Sequence, residues 1–105
     1  MVQEIFVEEN HVQVNLSGSM YAAEAALLRK NLVDHITQGQ KNFIIDLGAV
    51  DYIDASGLGT LLHIRKQTLK NDGSVTINGL QGLVKDLFEM TKVNHLFESP
   101  PKLAD

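Results

Sequence analysis

The run Phe43-Ile44-Ile45-Asp46-Leu47 is short, apolar and rich in β-favouring residues, the pattern of a central strand covered on both faces or nearly so. The residues after it narrow the choice of fold. From Ser56 to Lys70 the period becomes helical through Leu58, Leu61, Leu62, Arg65 and Leu69. Lys66 and Lys70 fall in the last turn, where the helix dipole favours cations, and Asn71-Asp72-Gly73 supplies a stop. A buried strand feeding directly into an amphipathic helix is the unit of an α/β architecture.

The rest of the chain fits around that unit. Val2 to Val7 and His11 to Leu16 alternate apolar with polar residues, and Glu8-Glu9-Asn10 joins them, which predicts a β-hairpin. Ala22 to about Gln38 is a predicted helix carrying Ala25, Leu28, Leu32 and Ile36 on one face, with Arg29, Lys30 and Asp34 on others and Gly39 at its end. Ser74 to Asn78 is a further short strand. Leu80, Leu83, Val84, Leu87 and Phe88 mark a third helix, and Val93, Leu96 and Phe97 a last packed turn before Pro100-Pro101. The order ββαβαβα combines an antiparallel hairpin with two strand-helix-strand units, so a mixed sheet of about four strands with packed helices is expected. With 105 residues, 44% of them hydrophobic and 21% charged, one domain over residues 1–105 is expected, with an ordered core of about 2–97 and a short tail at 98–105.

Charge and residue usage remove several functions. Nine Lys and Arg against thirteen Asp and Glu leave a net charge of −4, so no basic face is expected for nucleic acid or anionic lipid. There is no cysteine, which removes disulfides, thiolate metal sites and cysteine nucleophiles. His11, His35, His63 and His95 are scattered, without the spacing of a metal site, and each reads as a surface or half-buried histidine. No apolar run reaches the roughly 20 residues of a spanning helix, and Met1-Val2-Gln3-Glu4 lacks the basic start of a secretory signal. A cytoplasmic chain without direct membrane insertion is therefore expected. Asn15-Leu16-Ser17 matches a glycosylation pattern only by chance, inside a predicted strand.

The segment from Gly48 to Gly59 lies between the buried strand and the second helix, at the strand end where α/β folds place their sites. Ser56 is positioned to be the helix N-cap, and Gly57 and Gly59 leave the first turn open around its unpaired N–H groups. The plain structural alternative is that Asp54 or Ser56 only caps the helix, worth about 1 kcal/mol, while Gly59 permits close packing. Ser56 is not in a G-x-S-x-G elbow, and no G-x-x-x-x-G-K-[ST] phosphate loop is present. Asp46, Asp51 and Asp54 surround a strand end, as in an Asp-phosphorylated receiver, but the acidic pair and the late lysine of a receiver are missing: Glu8-Glu9 sits in a hairpin turn and no strand follows the last helix.

Phe43 to Leu47 followed by Val50-Asp51-Tyr52-Ile53-Asp54-Ala55-Ser56-Gly57-Leu58-Gly59-Thr60-Leu61-Leu62 resembles the signature of the STAS domain, found in bacterial anti-sigma factor antagonists and at the ends of sulfate transporters. Leu16-Ser17-Gly18 and the stretch from Gly79-Leu80 to Val84-Lys85-Asp86-Leu87-Phe88-Glu89-Met90-Thr91 extend the likeness over nearly the whole chain. The resemblance implies a STAS fold, and the chain's length resembles the antagonist branch. It implies that Ser56 is phosphorylated by a partner that is both an anti-sigma factor and a serine kinase of the histidine-kinase-like ATPase type, with a phosphoserine phosphatase to reverse it. The unmodified form would bind that kinase and free its client. The domain would then be a substrate, not an enzyme, with no cofactor. The implied partner surface comprises Asp54, Ala55, Gly57, Leu58, Gly59 and Thr60 beside Gly18, Ser19, Met20 and Tyr21. One departure stands out: many antagonists carry an Asp after the second-strand glycine, and here Tyr21 takes its place. The alternative within the family is a non-catalytic scaffold or accessory subunit of a stress-signalling assembly or a transporter, with Ser56 only a cap.

Overall fold

A computed structural model describes residues 1–97, so the expected stop at Pro100-Pro101 and the tail at 98–105 lie outside the described residues. The elements run in the order β1 (Val2–Val7), β2 (Val12–Met20), α1 (Ala22–Thr37), β3 (Asn42–Ile53), α2 (Ala55–Lys70), β4 (Ser74–Asn78) and α3 (Gly82–Met90), then a 3₁₀ turn over Asn94–Leu96. The sheet runs β1-β2-β3-β4 in space. β1 pairs antiparallel with β2, while β2–β3 and β3–β4 are parallel, the mixed pairing expected of a hairpin followed by two crossovers.

Alternation along the strands decides what is buried. Val12, Val14 and Leu16 of β2 and Phe43, Ile45 and Leu47 of β3 are buried with Leu28 and Leu32 of α1 and Leu61 and Ile64 of α2 in one core. Ile44 and Asp46, on the opposite face of β3, are only half-buried, so this strand has one well-covered face where sequence pattern suggested two. α3 adds Val84 and Phe88 to the same core, and Phe88 meets Phe97 with ring centroids 5.8 Å apart. Leu83, expected on that buried face, is turned outward and 66% exposed.

The largest difference from the sequence reading is the length of β3. Gly48 to Ile53, expected as loop, continues the strand and pairs with the end of β2. Two register shifts explain why the pattern hid it: between Asn15 and Ser17, and again between Gly18 and Ser19, β3 carries an extra residue relative to β2. Buried positions there fall three apart, at Leu47, Val50 and Ile53, instead of two. Gly18, at the second irregularity, has φ +92°, a left-handed conformation that glycine adopts without strain. β1 and β4 both stop short of this region, so the ends of β2 and β3 project together and deliver the starts of α1 and α2 side by side.

Candidate functional site

The projecting strand ends set the position of every residue around Ser56. Asp54 comes directly after β3, and its N–H donates to the Met20 carbonyl oxygen at 3.1 Å, joining the turn into α2 to the end of β2. Asp54 is the N-cap: its backbone is extended and its Oδ1 accepts the Gly57 N–H at 3.1 Å. Ser56 is therefore not the cap that its position suggested. It is the second residue of the helix, exposed, with its cap supplied by a neighbour. At the start of α1 the Glu24 carboxylate accepts the Tyr21 N–H at 3.0 Å, which orders that turn in a comparable way.

The residues expected to touch a partner divide into a surface and its support. Ala55, Ser56, Gly59 and Tyr21 are exposed, and Asp54, Gly18 and Ser19 are half-buried. Met20, Gly57, Leu58 and Thr60 are buried, so they hold the surface in place from beneath and offer it little area of their own. Met20 in particular was expected on the partner surface and is 0% exposed. The roles of the two glycines are also exchanged. A Cβ on Gly57 would stand 2.8 Å from the Met20 sulfur and 3.3 Å from Cγ1 of Ile53, so Gly57 is the glycine that permits close packing. A Cβ on Gly59 would meet nothing within 4 Å, and the packing role expected there is absent.

Tyr52 was missed in the sequence. Its ring lies 5.7 Å from that of Tyr21, tilted by 41°, and both side chains are exposed. The pairing of Ser19 with Tyr52 and Met20 with Ile53 brings the two tyrosines to one tip. Recognising β3 as a strand up to Ile53 would have revealed the pair.

Beside Ser56, a groove of about 530 Å³ runs between α1 and α2. Ala22, Ala26, Ala55 and Gly59 keep it open, and Arg29 and His63 line it with them. Thr60 Oγ1 approaches the Ala25 carbonyl oxygen at 3.5 Å and links the two helices below. The His63 imidazole is held below its ordinary value of 6.5, first by burial and then by the positive charges of Arg29, Lys66 and Lys70. Among the described residues no three of His, Asp and Glu gather into a metal-holding group, and no helix is long and apolar enough to cross a membrane.

Comparison with known proteins places this geometry. The STAS domain family model matches residues 4–105. The anti-sigma-B factor antagonist of Bacillus subtilis is 32% identical over 94 residues, which cover 90% of this chain and 85% of that protein. Among solved structures, the Bacillus cell fate determinant SpoIIAA in its phosphorylated form superposes with a TM-score of 0.77 at 16% identity, covering 96% of this chain and 93% of that one. A sulfate transporter family protein from Wolinella succinogenes shares the fold with a TM-score of 0.69 at 19% identity, over 82% of this chain and 70% of that one.

Proposed function

The chain belongs to the STAS domain family, in its anti-sigma factor antagonist group, and we propose that it works as a phosphorylation-controlled partner switch. In the unmodified state it binds a serine kinase that is also an anti-sigma factor, of the histidine-kinase-like ATPase type, and so releases that kinase's other client. The kinase then transfers the γ-phosphoryl group of ATP to Ser56: the Oγ–P bond forms as the bond to ADP breaks, and the hydroxyl proton leaves to a base of the kinase. The phosphorylated form lets go, and a phosphoserine phosphatase restores the first state. The domain is the substrate of this chemistry.

The observation that carries the reading is the exposed Ser56 hydroxyl one residue inside a helix that Asp54 already caps. Were Ser56 needed as the cap, its modification would cost the helix its first turn. Here it is free to change state. Gly59, one turn further, is required by no neighbour and leaves the approach to Ser56 clear. Phosphate adds about −1.5 to −2 charges that a closely packed partner must desolvate or pair, so a loss of affinity of order 100-fold, about 3 kcal/mol, is expected.

The test is intact mass after incubation with the kinase and Mg-ATP, together with calorimetry of both forms. A single phosphate on the natural chain, none on Ser56→Ala, and weaker binding after phosphorylation are expected. A full phosphate gain by Ser56→Ala, or equal affinity of the two forms, refutes the switch.

A further inference from the structure

Phosphoserine at position 56 would stand on the rim of the groove between α1 and α2, and the groove has the size to receive it, with Arg29 as the fixed cation in its lining and the Asp54 carboxylate held at the helix cap. Its volume of about 530 Å³ is ample for a phosphate, because alanines and Gly59 line it where larger side chains would fill it. α1 and α2 start from the same ends of the parallel neighbours β2 and β3, so they run alongside one another. Arg29 lies seven residues after Ala22, as His63 lies seven after Ser56, about 10.5 Å along each axis at 1.5 Å per residue. Long helical side chains lean toward the helix N-terminus, so an extended Arg29 side chain can cover part of that distance toward Ser56. The charges acting on His63 at this level are Arg29 from α1 and Lys66 and Lys70 from α2, all cations, in a chain whose net charge is −4.

We propose that, once Ser56 is phosphorylated, this groove binds the phosphate, with Arg29 as its main partner and His63 lining the groove further along. The inference rests on Ser56 being the modified residue. Arg29 is suited to the task because its planar guanidinium can present two N–H donors to one phosphate. The phosphate lies along the protein surface, occupies the groove and neutralises the cation that the unmodified form keeps open to solvent or partner.

The experiment uses the full chain with phosphoserine incorporated at position 56 during translation, so no kinase is needed. Titrations followed by ³¹P and imidazole NMR compare it with the unmodified chain, with Arg29→Gln and with Lys41→Gln, a cation at the far end of β3. Phosphorylation is expected to raise the His63 pKa, because an anion enters the groove that the imidazole lines. The second pKa of the phosphate is expected below its usual value of about 6, and to return toward it in Arg29→Gln but not in Lys41→Gln. A His63 pKa unmoved by phosphorylation, with a phosphate pKa indifferent to Arg29→Gln, overturns the proposal. Because the phosphate is installed without the kinase, that failure stays separate from failure of the kinase to modify Ser56.

Discussion

Tyr21 and Tyr52 meet at the tip of the sheet with ring centroids 5.7 Å apart, and 52% and 42% of their respective surfaces are exposed. Paired, solvent-exposed aromatics at the same end of the sheet as the proposed phosphorylation site have the make-up of a binding hot spot. Tyr21→Ala is therefore expected to weaken kinase binding by about 1 to 3 kcal/mol while leaving the melting temperature nearly unchanged, because little of the ring's packing supports the core. Calorimetry decides it: normal binding by Tyr21→Ala, with loss on substitution of Glu4 on β1, would move the docking face elsewhere. His63 makes a separate claim about pH. Its folded pKa lies below 6.5, through burial and the cations Arg29, Lys66 and Lys70, so the fold prefers the neutral ring. Its contribution to stability is complete above 6.5 and is lost as pH falls through the folded value, since the unfolded chain takes up the proton first. Denaturant midpoints at about pH 8 and about pH 5.5 should differ less in His63→Gln than in the natural chain. An unchanged difference would assign the acid loss to other groups.

At the scale of elements, α2 carries two glycines in its first turns with opposite consequences. Gly59 is exposed, helical and free of neighbours at its Cβ position, so Gly59→Ala should stabilise the protein by about 0.5 to 1 kcal/mol through helix propensity. Its added methyl stands in the groove beside Ser56, so kinase binding should fall even as the protein melts higher. Gly57→Ala should instead lower the melting temperature, because the methyl displaces the fully buried Met20 side chain, at a cost of about 1 to 3 kcal/mol that exceeds the propensity gain. Thermal melts of the two variants moving in the same direction would contradict the assignment. The same helix marks the boundary of what its residues reveal in advance. Helical spacing from Leu58 onward, the strand from Phe43 to Leu47 and the order of elements are legible from periodicity, and Ser56 is legible as a candidate from the family signature. The cap was not decidable between Asp54 and Ser56, since both types cap well; the geometry that selects Asp54 depends on its N–H reaching the Met20 carbonyl oxygen across the sheet. The Tyr21–Tyr52 contact was hidden for a related reason, because two bulges in β3 erase the period of two on which strand recognition depends.

For the molecule as a whole, the important arrangement is a core that ends where the proposed switch begins. Phe43, Ile45 and Leu47 and the helix residues facing them are buried along the four-stranded part of the sheet, whereas Ser56 sits past the last residues of β2 and β3, exposed, at the start of a helix. A charge added there changes the surface and not the packing. The helix dipole favours an anion near its N-terminus by about 0.3 to 1 kcal/mol, and making a net charge of −4 more negative adds only screened, distant repulsion. Phosphorylated and unmodified chains should therefore give superimposable circular dichroism spectra and melting temperatures within a few degrees, with the phosphorylated form no less stable at low salt. The partner's loss of affinity should behave differently. Its origin is mainly the cost of desolvating a dianion in a packed interface, so raising the salt should recover only part of the binding. Melting and calorimetry at low and high salt test both halves together. Phosphorylation that unfolds the chain would make the switch an order-disorder transition, and full recovery of binding in salt would make it long-range repulsion alone; either result would displace the local mechanism at Ser56.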